Sequence, residues 1–122
     1  MNSEELMKKI VSVLSKRKTE NIKVLNISGL TTIADYFVIC NGNSSTQIKS
    51  LADEVEEKLK EVDVTPYSKE GFSDASWVLL DYSSVVVHIF NPEQRDFYSI
   101  ENLWSDAPDV DVSDIIEANS KM

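Results

Sequence analysis

The stretch "DYFVICNGNSSTQIKSLADEVEEKL", residues 35–59, changes its hydrophobic period midway, and that change constrains the fold more than any other feature of the chain. Up to Cys40 the apolar residues are nearly continuous, as in a strand that is mostly buried, and Asn41 and Gly42 close it. From Ser44 on, Ile48, Leu51, Ala52, Val55 and Leu59 form an apolar stripe at helical spacing, while Asp53, Glu54, Glu56, Glu57, Lys58 and Lys60 form the solvated face. A buried strand that gives way to an amphipathic helix over residues 44–61 points to an α/β domain, with the helix stripe laid against the sheet.

The remaining elements fit around this unit. Leu6, Ile10, Val13 and Leu14 predict a first helix over about 4–18, with Asn2 or Ser3 as cap and Glu4 and Glu5 at the positive end of its dipole. "IKVLNIS" alternates apolar and polar residues as a strand does. "VTPYSKEGFSDAS" is rich in turn formers and leaves room for a short edge strand at 67–70. "WVLLDY" and "VVVHIF" are separated by Ser83 and Ser84 alone, the spacing of a hairpin. Asn91 as cap, Pro92 at the first helical position and Gln94 three residues after the cap predict a third helix to about Trp104. The acidic, weakly patterned segment 108–122 reads as a flexible tail, leaving one domain over 1–107.

The chain has 122 residues, enough to bury one core without disulfides or metal, and its apolar runs fall well short of a bilayer span of roughly 20 residues. Glu4 and Glu5 stand where a signal peptide would carry positive charge, so a cytoplasmic protein is expected. Cys40, the single cysteine, excludes a disulfide framework or a cysteine-built zinc site and is expected to be a buried thiol. The net charge of −9 is unevenly placed: residues 1–60 hold nine basic and eight acidic side chains, and residues 61–122 hold three and thirteen. Such a surface repels phosphate and attracts basic protein, so a basic protein partner is expected, rather than direct nucleic-acid binding or a membrane.

Candidate chemistry can be weighed residue by residue. Strand alternation puts Val86, His88 and Phe90 on one side of the sheet and Val85, Val87 and Ile89 on the other, so the only histidine lies among apolar neighbours. Without a nucleophile motif or a second histidine, a sheet residue is the better reading of His88 than a general base. Gly42, Asn43, Ser44 and Ser45 form a strand-to-helix turn of the kind that can hold phosphate. The turn lacks the glycines or lysine of the known phosphate loops, and a helix cap completed by Gln47 explains it better. Asp109 and Asp111 have the spacing of paired metal ligands but read as solvated charge in the tail. In the third helix Phe97, Ile100, Leu103 and Trp104 share a stripe about 120° wide, suited to a core, while Tyr98 points elsewhere. Tyr98 can therefore anchor a partner or lie flat on its neighbours, and Trp77 has the same two readings.

"ADYFVICNGNSSTQIKSLADEVEEKL", "WVLLDYSSVVVHIF" and "RDFYSIENLWSDA", in this order and spacing, resemble the ribosomal silencing factor family, RsfS, also called Iojap or YbeB, over about residues 3–107. The resemblance implies a mixed sheet of about five strands with helices packed on it, similar to the nucleotidyltransferase fold but without its catalytic carboxylates. It also implies binding to the fourteenth protein of the large ribosomal subunit on the intersubunit face, where the small subunit is kept from joining, with no enzymatic activity, cofactor or metal. On this reading Trp77, Tyr82, Tyr98, Leu103 and Trp104 are apolar anchors, and Asp81, Glu101 and Asp106 are partners for basic groups. A weak homodimer through part of the same surface is expected. The alternative is a nucleotide-binding or nucleotidyl-transferring enzyme that uses the turn at 42–45.

Overall fold

Capping chemistry starts the chain. In the structure, a computed structural model that describes residues 1–120, the Asn2 side chain accepts from the Glu5 N–H and the Glu5 carboxylate accepts from the Asn2 N–H. This reciprocal box opens helix α1 (Ser3–Lys16) and satisfies two amides that would otherwise have no partner. Strands β1 (Glu20–Asn26) and β2 (Tyr36–Asn41) follow, then helix α2 (Ser45–Lys60), the short strand β3 (Ser68–Glu70), and the hairpin of β4 (Trp77–Asp81) and β5 (Val85–Phe90). The sheet order is β1-β2-β5-β4-β3; β2 and β5 pair parallel, and the other pairs are antiparallel. Helix α2 carries the chain from β2 to the far edge, so that β4 and β5 can return and set β5 beside β2. The α/β class, the single mixed sheet and its five strands agree with expectation.

One face of the sheet is closed by α1 and α2. Val38, Cys40, Val78, Leu80, Val85, Val87 and Ile89 meet Ile10, Leu14, Ile48, Leu51, Val55 and Leu59 in a continuous core. Burial of Cys40 pushes its thiol up to about 12, so it is the inert buried thiol expected. Tyr82 also lies in this core and is 6% exposed, which corrects its assignment as a surface anchor. The reason is strand parity: residues 78, 80 and 82 face the helices, and residues 77, 79 and 81 face away.

Two further expectations change. The third helix is not continuous: α3 (Pro92–Tyr98) ends at Ser99, which adopts a left-handed φ of 46°, and α4 (Ile100–Leu103) begins a new direction. Ile100 is buried as expected, but Phe97 and Leu103 are 78% and 76% exposed, because the break resets the helical phase on which their core stripe depended. The segment 108–122 is also not a simple tail. The Asn26 N–H donates to the Pro108 carbonyl and the Val110 N–H to the Val24 carbonyl, so residues 108–110 run along the outer edge of β1 and cover it. Helix α5 (Ser113–Ser120) then packs on α1, where Val112 is buried and the Asn119 amide donates to the Ser12 carbonyl. Residues 121 and 122 of the expected tail lie outside the described residues. Among the described residues no helix is long and apolar enough to cross a membrane.

Candidate functional site

The second face of the sheet is only partly covered. Leu25, Phe37, Ile39, Trp77, Val86, His88 and Phe90 point away from α1 and α2, and α3, α4 and the turn to Ala107 lie across them. Seven and four residues are too few to cover a five-stranded sheet. Aromatic rings take up what the short helices leave. Trp77 stacks on Phe90 at 4.7 Å, Tyr98 lies against Trp77 at 4.6 Å, and Phe97 meets Tyr98 edge-on at 5.2 Å. Further along the face Trp104 meets Phe37 edge-on at 5.4 Å. Trp77 and Trp104 are half-buried, and Phe97, Tyr98 and Leu103 are exposed above them. Tyr98 packs one side of its ring on Trp77, and the rest meets solvent.

His88 lies under this layer. Its Nδ1 accepts from the Trp77 indole N–H at 3.2 Å, and Phe37 packs edge-on against the imidazole at 4.7 Å. Burial lowers its pKa to about 4, so the ring is neutral at physiological pH, with its proton on a buried Nε2 that has no partner among the described residues. It orients Trp77 as part of the scaffold.

The three carboxylates singled out by sequence have different environments. Asp106 is exposed. Asp81 accepts from the Ser83 N–H at 2.7 Å and fixes the hairpin, where Ser83 takes the left-handed φ of 72° that a glycine would normally supply. Glu101 accepts from the Arg95 Nε at 2.6 Å, and its other oxygen is 3.8 Å from the Lys23 ammonium. Glu101 is thus engaged inside the protein rather than held out for a partner. The exposed acids of α3 are instead Glu93 and Asp96, which the sequence reading did not select. Helical position alone could have found them. Phe97 was also missed, because an unbroken helix would have buried it.

The turn from β2 to α2 is built as a cap. Ser44 Oγ accepts from the Gln47 N–H at 3.1 Å, and Gln47 Oε1 accepts from the Asn43 N–H, one residue earlier than in a standard box. A Cβ on Gly42 would sit 2.5 Å from Ile48 Cγ1, so this glycine is required by close packing of strand on helix. Asp111 binds the Ser113 hydroxyl and N–H, which hold its carboxyl below the usual range, while Asp109 lies 3.7 Å from Lys23. Among the described residues no group of three or more His, Cys, Asp or Glu is placed to hold a metal.

Comparison with known proteins adds to this geometry. A family model described as "Ribosomal silencing factor during starvation" matches residues 1–122, including the segment after 107 that the sequence resemblance left out. The chain is 38% identical to the ribosomal silencing factor RsfS of Halalkalibacterium halodurans over 116 residues, covering 95% of this chain and 99% of that one. It is also 38% identical to RsfS of Bacillus subtilis over 112 residues, covering 92% and 95%. A crystal structure of a Chromobacterium violaceum protein superposes with a TM-score of 0.83 at 38% identity, covering 86% of this chain and 88% of that one.

Proposed function

The chain belongs to the ribosomal silencing factor family, and from that premise we propose that it represses translation by binding the fourteenth protein of the large ribosomal subunit and keeping the small subunit from joining. Family membership carries the coarser statement, a ribosome-associated role in regulating translation. The observation that supports the finer one is the partly covered sheet face. Exposed Phe97, Tyr98 and Leu103 rise above half-buried Trp77 and Trp104, with Glu93, Asp96 and Asp106 exposed on the same segment. Desolvated aromatics ringed by charge are the anatomy of a protein interface, and the acids select a basic partner. Arg95 is the only basic residue between 70 and 120, and its side chain is turned inward, so this region offers little positive charge that would repel such a partner.

The mechanism is steric and needs no cofactor. A protein of this size, bound on the intersubunit face in the cytoplasm, occupies space the small subunit must enter. Weak symmetric self-association through part of the same face, when no subunit is present, belongs to this reading because it would cover the exposed rings. Sedimentation with purified subunits tests it: the chain should travel with large subunits, not with small ones, and should lower the fraction of joined ribosomes. Binding to small subunits, or binding that leaves joining intact, would overturn it. Light scattering that shows a monomer at every concentration would remove the self-association.

A further inference from the structure

The side chain of Arg95 is 12% exposed, and its guanidinium gathers three acceptors from three parts of the chain. Its Nε donates to Glu101 Oε1 at 2.6 Å; its Nη1 donates to Asn41 Oδ1 and to the Asn21 carbonyl, each at 2.7 Å. Asn41 is the buried last residue of β2. Asn21 is held at a left-handed φ of 54° where the β1–β2 register shifts between Glu20 and Lys23, a bulge whose carbonyl goes to Arg95. Glu101 lies in the first turn of α4, beyond the left-handed Ser99.

The spacing of the ion pair explains the break. In an unbroken helix two residues six apart are separated by about 9 Å along the axis and about 120° around it, too far around to meet side by side. Arg95 and Glu101 meet at 2.6 Å because Ser99 leaves the helix between them. The same departure turns Phe97 and Leu103 outward while Ile100 stays buried.

We infer that Arg95 is a positioning residue for the partner-binding face: it clamps α3 and α4 to the ends of β1 and β2 in the broken conformation that presents Phe97, Tyr98 and Leu103. The inference rests on the docking reading above. Its energetic basis is a set of charge-assisted hydrogen bonds at low exposure, stronger than neutral ones and geometrically matched to a planar fork that lysine cannot reproduce.

The test combines amide hydrogen exchange with large-subunit binding on the full chain. Arg95→Met should speed exchange at residues 97–104 by about tenfold or more, the scale of one lost charge-assisted pair, while β2, β5 and α1 change little. Binding should weaken by about tenfold or more, and Arg95→Lys should fall between. In a Tyr98→Ala, Leu103→Ala background, Arg95→Met should add less than about threefold, because the anchors it positions are gone. Unchanged exchange at 97–104, or a full additive loss in that background, would overturn the inference. If the Tyr98→Ala, Leu103→Ala protein still binds normally, the docking reading fails, and the exchange data alone decide whether Arg95 holds the segment. Should Arg95→Met not fold, Glu101→Gln carries the same test: faster exchange at 97–104 supports the clamp, and unchanged exchange overturns it.

Discussion

The two faces of the sheet are covered in opposite ways. On the closed face two helices of 14 and 16 residues lay apolar stripes across the strands, and the core between them is continuous. On the other face, α3 and α4 cover Phe37, Ile39 and Phe90 but leave Phe97 and Leu103 in solvent. At the strand level the second face is also more mixed, with Lys23, Asn41, Asp81 and His88 beside its apolar residues, so it is both less apolar and less fully covered than the closed one. Folding stability should therefore reside mainly on the closed face and partner binding mainly on the aromatic face.

The largest expected effect sharpens that division. Ile89→Ala, at a residue with no exposure on the closed face, should cost about 2 to 5 kcal/mol of stability and reduce binding only in proportion to the unfolded fraction. Urea unfolding and sedimentation on the same variant check it; a stable Ile89→Ala that no longer binds would break the comparison. The aromatic face has its own stability element in His88. With a folded pKa near 4 against an ordinary 6.5, the unfolded chain binds a proton between those values that the folded chain excludes. His88 therefore contributes its stability in full above about pH 6.5, and up to about 3 kcal/mol is lost as the pH falls toward 4. Urea titrations of the wild type and His88→Phe across that window should differ in slope, the variant being flatter; equal slopes would show that another group carries the dependence.

Tyr98→Ala and Leu103→Ala should each weaken large-subunit binding by about 1 to 4 kcal/mol, the range of an interface anchor. Leu103→Ala should leave stability within about 0.5 kcal/mol. Tyr98→Ala should lose no more than about 1.5 kcal/mol, the value of its packing on Trp77. Trp104→Ala tests the boundary: its half-buried ring on Phe37 should lose stability and binding together. Thermal midpoints beside sedimentation separate these cases, and a Leu103→Ala protein that unfolds instead of losing binding would place that residue in the core. The smallest effect is electrostatic. Raising salt from 0.05 to 0.5 M should slow association by about tenfold and change dissociation by less than about twofold, since acids steer approach and desolvated rings set residence. Equal salt sensitivity of both rates would argue against that separation of roles.

Much of the closed face was legible in the sequence because its signals are local and repeated. The stripes of α1 and α2 span several turns, the near-continuous apolar run of β2 reflects a strand buried on both sides, the cap at Asn91 lies where the sequence places it, and those at Asn2 and Ser44 fall on one of two neighbouring residues that could cap. The parity that puts Tyr82 inside was equally present, in the alternation of "WVLLDY". The placement of α5 was less legible: eight residues with few apolar positions make a weak pattern, and the helix is held by α1 and by hydrogen bonds across 107 residues of sequence, from Asn119 to Ser12.

By itself the sequence determined the class of fold, the order of its elements as far as β5, the acidic bias of its second half and the family to which it belongs, because each is written in neighbouring residues or in their spacing. The tertiary structure decided which of the large apolar side chains are exposed. That depends on a break at Ser99, and the break is stabilised by an arginine that finds Asn21, Asn41 and Glu101 only after β1, β2 and α4 have been brought together. No local pattern encodes such a contact, because its three acceptors are distant in sequence or lie, in a regular helix, on the wrong side of it.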